Sequence, residues 1–309
     1  MKKSLTIGTR ASKLALAQTE IVRRAIAEAF PDVKITIKHI STTGDKVRHV
    51  PLAQVGGRGV FTKEIEDALL DGRIDLAVHS LKDLPTSLPD GLVLAAVSKR
   101  EDPRDVLISR GGLRLSELPS GAVVGTSSLR RRAQLLARRP DLEVRDIRGN
   151  LDTRLRKLKA GDYDAIVVAR AGLLRLGEES VSGKVLPYDI MLPAVGQGAL
   201  GLETRRNDAF AAECCSVVND AATAACAAAE RAFLAELRGG CQVPIGAVAE
   251  IEGDALTLRG MVCSTDGSRR VAGEERGPAP EAARVGERLA RRLLAEGGEA
   301  ILRELRRSG

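Results

Sequence analysis

Two segments of this chain follow one local plan, and that repetition constrains the fold more than any other feature. Ile7-Gly8-Thr9-Arg10-Ala11-Ser12 precedes a helical pattern over Lys13–Ala29, and Val124-Gly125-Thr126-Ser127-Ser128 precedes one over Leu129–Arg138. Each reads as a strand, a Gly-Thr turn, a serine where a helix begins, and then the helix. Further along, Leu69–Val78 parallels Leu158–Val167: a helix end, a glycine cap, then a short apolar strand containing Asp75 in one and Asp164 in the other. The spacings differ, but strands alternating with helices predict two α/β lobes of similar plan.

The last third of the chain reads differently. An Ala-rich helix is expected from about Ala221 to Leu237, then strands Gly246–Ile251 and Ala255–Val262 joined by the hairpin signal Glu252-Gly253-Asp254. A single final helix is expected from about Pro280 to Arg307, completing a C-terminal α+β domain. Residues 42–60 carry four glycines and little periodicity. Such a stretch is a lid or a disordered segment, and the sequence leaves both open.

At 309 residues, 44% hydrophobic and 29% charged, the chain is globular and long enough for two or three domains. No apolar run is long enough to span a bilayer. Met1-Lys2-Lys3-Ser4 passes directly into the strand-like Leu5-Thr6-Ile7, so no signal segment is read and a cytoplasmic location is expected. Five cysteines without a Cys-x-x-Cys pair suggest neither a disulfide framework nor zinc. His39, His49 and His79 fall in no metal-ligand spacing, so no metal is expected. A charge of +7 raises the question of nucleic acid, but aromatics are 2% and Trp is absent, leaving few stacking platforms. A small polyanionic ligand suits the charge at least as well.

Three places carry candidate chemistry. Residues 239–246, Gly-Gly-Cys-Gln-Val-Pro-Ile-Gly, hold Cys241 on a loop after two glycines that end a helix, with Pro244 keeping the chain out of another. A buried incidental thiol is the alternative. His79-Ser80-Leu81-Lys82-Asp83-Leu84-Pro85 follows the strand expected over Ile74–Val78, where residues of an α/β sheet line a ligand crevice. The alternative there is a surface loop with an ordinary charge pair. Residues 126–156 hold nine arginines, suited to gripping carboxylates, beside Ser127 and Ser128 at a helix start. A solvated basic face is the competing explanation.

Taken together, Ile7-Gly8-Thr9-Arg10-x-Ser12, His79-Ser80-x-Lys82-Asp83-x-Pro85, Thr126-Ser127-Ser128-Leu129-Arg130-Arg131, Arg148-Gly149-Asn150, Val195-Gly196-Gln197-Gly198-Ala199 and Gly239–Gly246 resemble the porphobilinogen deaminase (hydroxymethylbilane synthase) family, in the family's order and across nearly the whole chain. The resemblance implies two lobes like those of type II periplasmic solute-binding proteins, 1–98 with about 193–215 and 99–192, plus a C-terminal α+β domain, 216–309, carrying the cofactor cysteine. It implies that Cys241 holds a dipyrromethane cofactor through a thioether. Asp83 resembles the catalytic carboxylate. Lys82, Ser128, Arg130, Arg131 and Asp83 resemble cofactor-binding residues, and Arg10, Ser12, Arg148, Arg154 and Arg175 substrate-binding ones. Gln18 and Gln197 are further candidates near the cleft.

The implied reaction joins four porphobilinogen molecules head to tail into a linear tetrapyrrole, releasing ammonia. Each aminomethylpyrrole loses ammonia to give an electrophilic azafulvenium, which a free α-carbon attacks with loss of a proton. A fixed carboxylate at Asp83 would stabilise the developing positive charge and take up that proton. The implied partner is the small-molecule substrate, with no nucleic acid and no membrane, a monomeric state, and a hand-off to the next tetrapyrrole-pathway enzyme. The competing reading is a non-catalytic two-lobed solute-binding protein for a small polycarboxylate, which has no use for Cys241 on a third domain.

Overall fold

The computed structural model describes residues 4–46, 62–178, 183–239 and 243–308. It separates into two compact units, Met1–Glu101 with Ala199–Ala224, and Asp102–Gly198 with Ala225–Gly309. Both Cys241 and most of the 42–60 stretch lie outside the described residues.

The first unit begins with β1 (Ser4–Thr9), α1 (Lys13–Ala29), β2 (Lys34–His39), a single turn α2 (Thr43–Lys46), α3 (Lys63–Leu70), β3 (Leu76–Ser80) and β4 (Leu92–Val97). The second begins with β5 (Asp105–Ser109), β6 (Val123–Gly125), α4 (Leu129–Arg138), β7 (Glu143–Arg145), α5 (Leu151–Ala160), β8 (Ala165–Ala169), α6 (Arg170–Arg175) and β9 (Lys184–Val185). The chain then returns to the first unit as β10 (Leu200–Arg205) and α7 (Ala209–Ser216).

The two five-stranded sheets have the same plan. Their orders are β2-β1-β3-β10-β4 and β7-β6-β8-β5-β9. In each, three parallel strands meet one antiparallel strand, β10 or β5, that comes from outside the local β–α–β run. Local chemistry matches too. Ser12 and Ser128 cap α1 and α4, accepting from the N–H of Ala15 and Arg131. Gly8 in β1 and Gly125 in β6 lie where a side chain crosses: a Cβ would lie 2.3 Å from Ile74 Cδ1 or 2.8 Å from Tyr163 Cδ1. The strand expected at Ile74 instead starts at Leu76. Before it, Asp75 turns its carboxylate onto the Thr6 N–H (2.8 Å) and Arg205 (3.0 Å), which pins the strand's entry to β1.

The C-terminal part comprises α8 (Ala221–Glu236), β11 (Ile245–Glu252), β12 (Ala255–Cys263), β13 (Arg270–Pro278), α9 (Ala282–Leu293) and α10 (Glu299–Ser308). Its antiparallel sheet, β11-β12-β13, has its own apolar core around Phe233, Leu258, Leu289 and Leu293. The fold is thus two α/β lobes plus a C-terminal α+β domain. The C-terminal sheet packs on the second lobe: Ala133 of α4 shares a cluster with Val248, Met261 and Cys263, and Ala247 N–H donates to Pro193 O at 3.0 Å.

Three features of this part differ from the sequence expectation. Strand β13 was not foreseen, because Gly273, Gly277 and its charged residues weaken the strand pattern. Those glycines let α9 approach: a Cβ on Gly277 would lie 2.8 Å from Val285 Cγ2. The final helix is broken, because Gly297 takes φ +115 between α9 and α10. And α8 ends at a left-handed Arg238 (φ 48) rather than at a glycine. Gly239 N–H reaches Leu234 O and Arg238 N–H reaches Ala235 O, a Schellman closure. Gly239 is needed one place later, where a Cβ would meet Leu234 Cδ1 at 2.6 Å and Ile245 Cδ1 at 2.5 Å.

Candidate active site

In each lobe the candidate residues sit beyond the carboxyl ends of parallel strands, where an α/β sheet opens a crevice. In the first unit, β1 delivers Arg10 and Ser12, while β3 runs into a 3-10 turn over Leu81–Asp83. Arg10, Ser12, Gln18, His79, Ser80 and Asp83 line one pocket of about 70 Å³. Gln18, 4% exposed, is held there by its amide hydrogen bond to Ser80 Oγ at 2.9 Å. Lys82 is on the same turn and half-buried, but it is not part of that pocket's lining.

The second unit carries the arginines. Arg130 and Arg131 follow the capped start of α4 and are almost wholly buried. Both grip Asp105 at the head of β5: Arg130 Nη1 donates to Oδ2 at 2.8 Å and Arg131 Nη2 to Oδ1 at 2.7 Å. Arg130 also donates to Leu192 O and Arg131 to Val167 O. Burial by itself would raise the Asp105 carboxyl, but the two guanidiniums outweigh it and hold it well below the usual carboxylate range. Burial likewise lowers Arg130, against the pull of Asp105. Gln197 belongs to the same cluster, donating to Asp105 Oδ1 at 2.9 Å and Pro103 O at 2.7 Å.

Arg154, on α5, donates to Gly149 O at 3.0 Å and is half-buried. Desolvation first, and then the charges of Arg131 and Arg148, lower it to about 10. It stays protonated at neutral pH, so Arg131, Arg148 and Arg154 form a patch of mutually repelling cations. Arg130 and Arg131 share the single carboxylate of Asp105, and Arg148 and Arg154 add further positive charge beside Arg131. Arg175 ends α6 and donates to Gly198 O. The neighbouring Arg132 is used differently, donating to Val144 O at 2.8 Å. Successive helical residues turn by about 100°, so three consecutive arginines cannot all face one side.

Asp105 escaped the sequence reading, although a signal was present: an aspartate opening the apolar run Val106-Leu107-Ile108 enters the core and needs a buried cation. Glu203, buried on β10 beside His79, also escaped it. The four described cysteines outside the Cys241 loop are buried and form no disulfide, and burial raises Cys215 to about 12, far from a reactive thiolate. Among the described residues no cluster suits a metal ion, and no helix is long and apolar enough to cross a membrane.

Comparison with known proteins agrees with this geometry. Residues 5–213 match the family described as "Porphobilinogen deaminase, dipyromethane cofactor binding domain", and residues 224–295 match "Porphobilinogen deaminase, C-terminal domain". Porphobilinogen deaminase of Roseiflexus sp. (strain RS-1) is 52% identical over 302 residues, covering 98% of this chain and 99% of that protein. That of Desulforudis audaxviator (strain MP104C) is 53% identical over 307 residues, covering 99% of each. Among solved structures, the probable amino-acid ABC transporter extracellular-binding protein ytmK of Bacillus subtilis superposes with a TM-score of 0.43 at 12% identity, over 70% of this chain and 90% of that one. With both family domains matched in order and half of all residues shared with relatives of the same length, the chain belongs to the porphobilinogen deaminase family.

Proposed function

We propose that this porphobilinogen deaminase is a hydroxymethylbilane synthase in which Asp83 is the catalytic carboxylate and Cys241 carries a dipyrromethane through a thioether. The observation that carries the reading is the cationic excess of the second unit. Arg130 and Arg131 share one carboxylate, Asp105, and Arg148 and Arg154 crowd Arg131, which leaves uncompensated positive charge in a partly dehydrated site that an acetate- and propionate-bearing pyrrole chain would neutralise. The residues present therefore fit the cofactor's chemistry. When bound, the dipyrromethane supplies the free α-carbon from which the chain is extended.

The protein's residues divide the remaining work. Cofactor carboxylates are assigned to Ser128, Arg130 and Arg131 on the second unit and to Lys82 on the first. Arg10, Ser12, Arg148, Arg154 and Arg175 hold those of the substrate, with Gln18 and Gln197 fixing the walls. Arginine suits the role because its planar fork matches a carboxylate bidentately. The leaving amine is already an ammonium at neutral pH, so no strong acid is needed for its departure. Positive charge then spreads over the substrate pyrrole, and the fixed Asp83 carboxylate stabilises it as it forms. After coupling, Asp83 is placed to accept the proton lost from the ring carbon.

The three-part division at 1–98 with 193–215, 99–192 and 216–309 belongs to the same reading, supported by the separate core of the C-terminal sheet. So do a monomeric enzyme and hand-off of its product to the next enzyme of tetrapyrrole synthesis. Intact mass under denaturing conditions tests the central assignment. A two-pyrrole adduct that maps to the Cys241 peptide, and disappears in Cys241→Ala, is expected. Active enzyme with a free Cys241 would end it.

A further inference from the structure

Behind the Asp83 pocket lies a second group of ionisable side chains with no part in the function above. His79 is 5% exposed and contributes to the pocket wall. Its Nε2 lies 3.1 Å from Glu203 Oε2. Glu203 is fully buried on β10, opposite Ala77 and two residues along β3 from His79. Glu66, on α3, is 6% exposed and lies near enough to feel both charges. Among the described residues, Glu66 Oε1 and Glu203 Oε1 are buried without a hydrogen-bond partner.

Two carboxylates and one imidazole in such a place cannot be charged independently. The His79–Glu203 contact needs one shared proton, carried either on Nε2 or on the Glu203 carboxyl. Leaving both glutamates ionised would add the desolvation of two buried charges to their mutual repulsion. Burial is the main reason that Glu66 is held above its ordinary range, against a smaller pull from Thr62 and with Glu203 adding to the rise. The other charged groups on these elements are engaged elsewhere or stand outside the group. Glu64 accepts from Thr43, and Asp75 and Arg205 pair with each other. Lys63 and Asp67 also lie on α3, and Arg10 and Asp83 line the same pocket as His79.

We infer that His79, Glu203 and Glu66 form a proton-sharing cluster in which His79 acts as a positioning residue, setting the charge presented to the Asp83 pocket. Gain or loss of one cluster proton changes the net charge of a water-poor wall by one unit, next to the place where the substrate's positive charge develops. No substrate bond forms or breaks at the cluster; it acts through the field at Asp83. The inference rests on the assignment of Asp83 made above.

The test uses the holoenzyme and two readouts. His79 is one of three histidines, so its imidazole resonances are assigned by their loss in His79→Gln. Removing a negative neighbour weakens the hold on the imidazolium proton, so titration must move to lower pH. Glu203→Gln is expected to move it to lower pH, and Glu66→Gln to move it less far in the same direction. The pH profile of kcat should shift in step, and His79→Gln should remove that limb. Should Glu203→Gln fail to fold, Glu66→Gln carries the test, since glutamine is isosteric with a protonated glutamate. A His79 signal that does not titrate between about pH 5 and 9, or titrations and normalised profiles that superimpose on the parent's, overturns the inference. Parental turnover in Asp83→Asn with a shifted His79 titration would instead sink the Asp83 assignment and leave the cluster standing.

Discussion

Arg131 meets Asp105 through two hydrogen bonds, Nη2 at 2.7 Å and Nε at 3.2 Å, with side chains only 7% and 0% exposed. The carboxylate is shared with Arg130, so a buried anion organises two cations that the family reading assigns to ligand carboxylates. Asp105 preorganises the arginines without neutralising them.

Removing that anion should be costly. Asp105→Ala leaves two buried guanidiniums facing each other and is expected to destabilise the protein by about 3–5 kcal/mol. Urea unfolding of the two proteins, matched for cofactor content, measures the difference. A loss under about 1 kcal/mol would mean that the guanidiniums find other partners.

The same carboxylate predicts an acid limb. Its folded pKa lies below the unfolded value near 4, so its contribution is complete above about pH 4 and fades as pH falls toward the folded value. Chemical denaturation midpoints followed down through this range should fall more steeply for the parent than for Asp105→Asn. Parallel curves would contradict the assignment.

Asp83→Asn should keep the fold and the covalent primer and lose turnover by about 10²–10³-fold, the scale of losing one preorganised charge-stabilising group. Pre-steady-state assays that isolate the coupling step give the comparison. Near-parental coupling would remove Asp83 from the chemistry.

The arginines should act at different stages. Two primer rings and four substrate rings carry about twelve carboxylates, whose mutual repulsion must be offset by cations. Arg148→Leu and Arg175→Leu are expected to accumulate enzyme with one, two or three added pyrroles, seen as a mass ladder that differs between the variants. Raised salt should slow the parent. An unchanged distribution of intermediates, with only a slower overall rate, would reduce these residues to a general basic lining.

At the end of α8, Arg238 holds a left-handed conformation that costs a side-chain-bearing residue about 1–2 kcal/mol. Arg238→Gly relieves this but gives back some unfolded-state entropy, so a net gain of up to about 1 kcal/mol is expected. A β-branched Arg238→Val should destabilise. Thermal melts of the three proteins decide it.

The sequence by itself determined the elements whose signals are local. Helices Lys13–Ala29 and Leu129–Arg138 begin and end where their serine caps and periodicity put them, because capping and amphipathicity are properties of a few consecutive residues. The hairpin at Glu252-Gly253-Asp254 is legible for the same reason. Family membership was legible because its motifs are contiguous. Only the tertiary structure decided which arginines are buried. Arg130, Arg131 and Arg132 look alike in sequence, yet two close on Asp105 and the third caps a strand carbonyl, since helical rotation sends neighbours in different directions. Likewise His79 and Glu203 are 124 positions apart and meet only because β10 returns to pair with β3. Strand β13 was invisible for a related reason: its glycines weaken the local β signal and make sense only against α9 packed on top of them. Local signals fix elements, whereas the partner of a buried charge is fixed by which distant strand the fold lays beside it.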